Sequence, residues 1–302
     1  MLQTLKIGTL RWLHIQDPSD EDLEFLKDNF HFHPLDIEDC KSRNQRPKID
    51  VYDDYYFLIL HFPNYDRFKR LLKTKEVKIF WGEDYIITIG KSHWVVSSLF
   101  DNVMQHNDPY ELLQAGTSDS LLYKIIERLM HETYQLISKM GIELDLINRE
   151  LFSKNADKTI ERISVTRRNM IQLNTIFKPQ IRLFQGFESG HIEGFAENME
   201  DYWGNILDYY QKMWDMIEDY EELIEGLSKT FDSWQKNRTN EIMKALTLIS
   251  SILLPLTFIA SLYGMNVNLP LSNLKNSFWI LLSIMLVVSS AFILIFKRKR
   301  WM

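Results

Sequence analysis

Asn240, Met243, Thr247, Ser250, Leu254, Thr257, Ser261 and Gly264 step by three or four along this 302-residue chain. On a helix that spacing gathers them on one face. Small and polar groups recur among them, inside a run with no charged residue between Lys244 and Lys275. In lipid such a stripe carries a cost, so it should face protein or water. Two uses fit: close helix packing through small residues, or the wall of a water-lined pore built from the stripe repeated around a ring. No carboxylate lies on the stripe. A cation passing along it would keep much of its water and meet hydroxyls, amides and backbone carbonyls. That chemistry suits a hard, strongly hydrated ion such as Mg²⁺. A second pattern lies upstream. Between Glu197 and Glu225 ten acids stand against one base, Lys212. Asp201, Asp208, Asp215 and Glu222 repeat every seven residues and share one helix face. Such a face is either simply solvated or a surface that collects cations.

Other chemistries find no footing. The sequence holds no nucleophile elbow, P-loop, Cys-x-x-Cys or His-Glu-x-x-His motif, so no enzymatic activity is expected. His31 and His33 stand two apart and read as turn or surface histidines. The single cysteine, Cys40, excludes an intrachain disulfide and a multi-cysteine metal site. It reads as a small buried hydrophobe in a reducing, cytoplasm-facing compartment. A net charge of −6 argues against nucleic acid as a partner. The first residues contain no long apolar stretch, so no signal peptide is expected.

The elements that position these residues fall into blocks. Residues 1–115 read as a mixed α/β cytoplasmic domain. Ile49 to Pro63 suits a strand, and Val77–Trp81 and Tyr85–Ile89 read as two more around the turn Gly82-Glu83-Asp84. Ser19, with Asp22 three residues on, marks a helix start, and Pro34 a break. Residues 116–194 read as a helical layer, with turns at Asn155-Ala156-Asp157 and Gly186–Gly194. From near Phe195 no proline interrupts the chain until Pro255. Residues 195–263 therefore read as one stalk helix running into the membrane, its 60 residues before Pro255 being roughly 90 Å long. A rod of that length needs neighbours along it, which argues for an oligomer.

The mean hydropathy of −0.22 hides two charge-free stretches, Ala245–Tyr263 and Ser277–Phe296, of 19 and 20 residues. Each is long enough to cross a bilayer. They form a hairpin around an outer loop, 264–276. The pair excludes both a purely soluble enzyme and a transporter of many spans. The basic tail, 297–302, with Trp301 as an interfacial anchor, places both termini in the cytoplasm, and Lys236, Arg238 and Lys244 before the first span agree.

Tyr263-Gly264-Met265-Asn266, at the outer end of the first span, resembles the signature of the CorA family of divalent-cation channels. The resemblance extends to Asn240–Lys244, Pro255–Ala260, the tail Lys297–Trp301, and His33-Pro34-Leu35, Glu38-Asp39 and Gln45–Lys48. It thus covers the chain from near residue 30 to its end. It implies a funnel-shaped homopentamer: an α/β cytoplasmic domain, long helices and a two-helix transmembrane hairpin in the cell's inner or plasma membrane. Five first spans would line the pore and five second spans would ring them. Tyr263, Gly264, Met265 and Asn266 would form the selectivity filter, with the Asn266 amides meeting a hydrated ion. Met243, Leu246 and Leu254 match apolar constrictions, and Asn240 an inner polar ring. The implied cargo is Mg²⁺, with Co²⁺ or Ni²⁺ as further cargo, and Mg²⁺ would also regulate; no organic cofactor is implied.

The resemblance also implies an inter-subunit Mg²⁺ clamp between an acid in the Glu38-Asp39 pair and an acid on the neighbouring long helix. Asp39 matches, but the helix position is Asn205, flanked by Asp201 and Asp208. The outer loop, Val267 to Asn276, lacks the acids that many members carry there and has Lys275. A zinc-transporting branch of the superfamily and a non-conducting, membrane-anchored regulatory protein are the alternatives.

Overall fold

The computed structural model describes residues 2–42, 45–90, 93–105, 112, 115–151, 156–265, 270 and 276–299, the side chains of 156 and 157 excepted. The chain divides into two compact units, Met1–Ser228 and Lys229–Met302.

The first unit is built on a sheet of six strands: β1 (Leu2–Ile7), β2 (Leu10–Ile15), β3 (Lys48–Val51), β4 (Tyr55–Asp66), β5 (Leu71–Gly82) and β6 (Tyr85–Ile89). Their order is β1-β2-β6-β5-β4-β3, and only β2 and β6 run parallel. Alternation along the strands gives the sheet two apolar faces. Ile15, Phe57, Ile59, Phe80 and Ile87 share one core with Leu23 and Leu26 of helix α1 (Asp20–Phe30) and Ile37 and Cys40 of α2 (Pro34–Lys41). The opposite face carries Trp12, which meets Phe100 of α3 (Trp94–Met104) edge-on at 5.1 Å.

Several local expectations are corrected. Ile49–Pro63 is two strands, because the chain turns back at Tyr52–Asp54 and Tyr52 N–H donates to Tyr55 O at 3.0 Å. Pro34 does stand at a break, between α1 and α2, and it also opens the second helix: it occupies the first helical position, where its missing N–H has no partner to lose. His33 caps that helix, its Nδ1 accepting from Leu35 N–H at 3.3 Å, and His31 closes α1 in a left-handed conformation. Both histidines thus serve turns. Ser19 and Asp22 form the reciprocal capping box of α1, both bonds 3.1 Å.

Beside α3, three further helices pack on the second face: α4 (Ser118–Glu150), α5 (Ala156–Phe177) and α6 (Ile181–Glu188). Ala156 and Asp157 belong to α5, not to a turn, and Asn155 lies outside the described residues. Gly186 is likewise helical, so the turn after α6 starts at Ser189. Helix α7 runs from Glu200 to Tyr263, 64 residues, with Pro255 inside it. It starts after Phe195 because that residue is held elsewhere: Phe195 N–H donates to the buried Asp119 carboxylate at 2.9 Å. Trp203, Ile206, Tyr210, Met213, Ile217 and Ile224 recur at helical spacing and are buried, which seats this part of α7 in the first unit. Helix α8 spans Ser277–Arg298.

Candidate functional site

In the second unit the end of α7 and the whole of α8 are apolar and long enough to cross a membrane by length and composition. Each covers one face. On α7 the half-buried residues include Leu248, Ile252, Pro255, Leu256, Ile259 and Tyr263; on α8 they include Leu281, Met285, Val288 and Phe292, ending on the buried Phe296. At 100° per residue the covered face of α7 lies opposite the polar stripe. Asn240, Thr247, Thr257 and Ser261 are exposed and Ser250 is half-buried, while Met243, Leu246 and Leu254 stand 56%, 57% and 68% exposed. The structure thus brings the stripe to a face that the rest of its own unit leaves open.

Both threonine hydroxyls on that face are already committed as donors. Thr247 and Thr257 donate to Met243 O and Leu253 O, each at 2.8 Å. With the proton given to the preceding turn, what remains on each oxygen is acceptor capacity, the polarity a cation needs. Helix α7 ends in a turn in which Gly264 N–H donates to Ala260 O at 2.9 Å and Met265 N–H to Leu262 O at 3.2 Å. The Tyr263 hydroxyl donates to Pro270 O at 3.1 Å. Asn266, Lys275 and Trp301 lie outside the described residues.

The acidic stripe sits in the first unit. Asp201, Asp208, Asp215 and Glu222 are all exposed, on the side of α7 away from Trp203 and Tyr210. Other acids of the same segment are engaged: Glu221 accepts from Asn174 at 2.7 Å, and Glu225 lies 3.9 Å from Arg167. Asn205 is held through its amide, which donates to the Tyr123 hydroxyl at 2.9 Å, and Tyr123 in turn donates to Glu127 at 3.1 Å. It lines a surface cleft of about 500 Å³ with Lys124, Glu127, Arg128 and His131. On α2, Glu38 is exposed, whereas Asp39 is paired with Lys48 at 2.7 Å. Beside them the buried Asp36 carboxyl has its pKa raised by desolvation, although Tyr55 and Tyr52 donate to it at 2.8 and 3.2 Å. Among the described residues no group of three or more His, Cys, Asp or Glu side chains could hold a metal ion. A single chain therefore does not gather Glu38 and Asp39 with Asp201, Asp208 or Asp215 into such a cluster. The sequence named Lys48 only within the stretch Gln45–Lys48 and gave no pairing with Asp39, and it gave no signal for Tyr123 as the partner of Asn205.

The family description "CorA-like Mg2+ transporter protein" matches residues 8–298. The chain belongs to this family. It is 26% identical over 298 residues to the cobalt/magnesium transport protein CorA of Thermotoga maritima, covering 98% of this chain and 84% of that one. To the putative metal ion transporter YfjQ of Bacillus subtilis it is 30% identical over 293 residues, covering 96% and 89%. The fold matches the complete structure of the CorA magnesium transporter from Methanocaldococcus jannaschii with a TM-score of 0.82 at 20% identity, over 97% of this chain and 92% of that one. The CorA resemblance noted at Tyr263–Asn266 therefore extends over nearly the whole chain, from residue 8 through β2 to α8.

Proposed function

We propose that the chain is a membrane channel for divalent cations, Mg²⁺ foremost, and that copies of it assemble as a homopentamer around the stripe of α7. One observation carries this reading: the hydroxyl-bearing face of α7 lies opposite the face covered within its own unit, with its Thr protons already given to backbone carbonyls. Such a face needs water or other copies beside it. Asn266 amides at the outer mouth meet an ion that keeps its hydration shell, since Mg²⁺ dehydrates reluctantly. Met243, Leu246 and Leu254 narrow the path with apolar groups that gate by dewetting. Asn240 forms the polar ring at the inner mouth, Thr247, Ser250, Thr257 and Ser261 line the wall, and the Met1–Ser228 unit lies in the cytoplasm. The relatives' names, cobalt and magnesium, favour those cargoes over zinc.

Internal divalent cations regulate the channel. The exposed acids Asp201, Asp208, Asp215 and Glu222 of neighbouring copies repel one another unless a cation screens or bridges them. Bound Mg²⁺ holds the cytoplasmic units together and the pore shut; its loss lets them separate. The test is uptake by the purified chain in liposomes, with native mass measurement alongside. Asn266→Ala should stop uptake and leave the oligomer intact. A stable monomer that still conducts would refute the pore, because two spans cannot enclose a conduit.

A further inference from the structure

Helix α2 ends in a knot of charge. Lys48, at the start of β3, reaches the Asp39 carboxylate at 2.7 Å and also pairs with Asp50, its neighbour two residues along the same strand. Its ammonium lies 5.5 Å from the centre of the Phe57 ring, which favours the cation from a third side. The Asp39 side chain is only 19% exposed and Lys48 33%, so the pair is partly shielded from water. A second lysine fixes the backbone of the same residue. Lys78, with 7% of its side chain exposed, donates to Asp39 O at 2.7 Å and Ser42 O at 2.8 Å and pairs with Glu76 at 3.2 Å. Both the carboxylate and the carbonyl of Asp39 therefore already face an ammonium group. Glu38, one residue earlier, is exposed.

These contacts do not fit a divalent ion bound at Asp39. A metal there would have to share one carboxylate with an ammonium already at hydrogen-bond distance, and like charges so close disfavour each other. We propose that Lys48 is the resident cation of Asp39: the chain supplies at that position, tethered and permanently, the charge that a regulatory divalent ion would otherwise bring. Asp39 is then neutral in effect at every internal Mg²⁺ concentration. The response to Mg²⁺ is left to exposed acids such as Glu38, Asp201 and Asp208. The consequence for flux rests on the feedback reading above; the consequence for binding does not.

The thermal unfolding midpoint of the full-length protein in detergent, followed against MgCl₂ at constant ionic strength, reads binding directly. Lys48→Met uncovers Asp39 and Asp50 together. It should lower the Mg²⁺ concentration for half-maximal stabilisation by about two- to five-fold, the range expected for a partly exposed ion pair. Lys48→Arg keeps the charge and should follow the parent. The double variant Lys48→Met with Asp39→Asn should lose the gain, and Asp39→Asn alone should leave the midpoint concentration where it was. The proposal is overturned if Lys48→Met gains no Mg²⁺ response over the parent, or if single and double variants respond alike. If Lys48→Met does not fold, Asp39→Asn decides: a several-fold shift in that variant overturns the proposal, and an unchanged response supports it. Flux into liposomes, measured in parallel, separates the two ideas. A parent channel indifferent to internal Mg²⁺ defeats the feedback reading, while the unfolding series still judges Lys48.

Discussion

His93 begins α3 with only 4% of its surface exposed and with neither ring nitrogen hydrogen-bonded. The Phe62 ring meets it edge-on at 5.9 Å. Burial pushes its pKa down from 6.5 to about 4, and the positive charge of Lys75 acts in the same direction. In the unfolded chain the imidazole regains its ordinary value, so below pH 6.5 the unfolded state binds a proton that the folded state refuses. The stability His93 permits is complete above pH 6.5 and is lost as the pH falls towards 4. At pH 5 the loss is ~2 kcal/mol, taken from the two pKa values by proton linkage. For a unit the size of Met1–Ser228 that corresponds to roughly 4–8 °C in Tm. The assay is thermal unfolding of the full chain in detergent at pH 7.5 and pH 5, for the parent and for His93→Leu. The leucine variant should narrow the gap between the two pH values by that amount. It should also be no less stable at pH 7.5, since two unpaired buried nitrogens are gone. His14 and His61, whose pKa values burial also lowers, stay in both proteins and cancel in the comparison. If both proteins lose the same number of degrees between the two pH values, the assignment of acid sensitivity to His93 is wrong.

Gly194 adopts φ +75°, and a Cβ there would lie 2.3 Å from Asp119 Oδ1 and 2.9 Å from the Trp81 ring. Gly194→Ala should therefore cost about 2–4 kcal/mol, overpacking and left-handed backbone together, and an unchanged unfolding midpoint would contradict this packing. Asn205→Asp adds a charge between Asp201 and Asp208 on one helix face and should make channel closure more sensitive to internal Mg²⁺, whereas Asp201→Asn with Asp208→Asn should blunt it. If the dependence of current on internal Mg²⁺ is the same in both, the acidic stripe is only a solvated face.

What could be read in the sequence was whatever a short window determines. The charge-free stretches, the spacing of Asn240 to Ser261 and the capping box at Ser19 depend on neighbours within a few residues, and each has its counterpart in the structure. The long helix was legible for the same reason, apart from its start, which a contact with distant Asp119 sets. Pro34 marked the break after α1 but not the helix it opens, because one residue type both breaks helices and opens them, and position alone decides. The hairpin at Tyr52–Asp54 was hidden by the apolar residues on both sides of it. At the site, the polar face was visible but the groups controlling its acids were not. Asn205 meets Tyr123 across 82 residues of chain, and Lys48 meets Asp39 only because β3 is drawn into the sheet beside α2. Pairings of that kind follow from the tertiary fold rather than from spacing.

The central claim is that ions pass along the open face of α7 through an entrance formed by Asn266. Mg²⁺ influx into liposomes containing the purified chain, followed by an indicator trapped inside, tests it most directly. The account predicts influx with the parent protein and none with Asn266→Ala, both proteins having the same oligomeric mass. Influx of equal rate through a folded, assembled Asn266→Ala protein would contradict it.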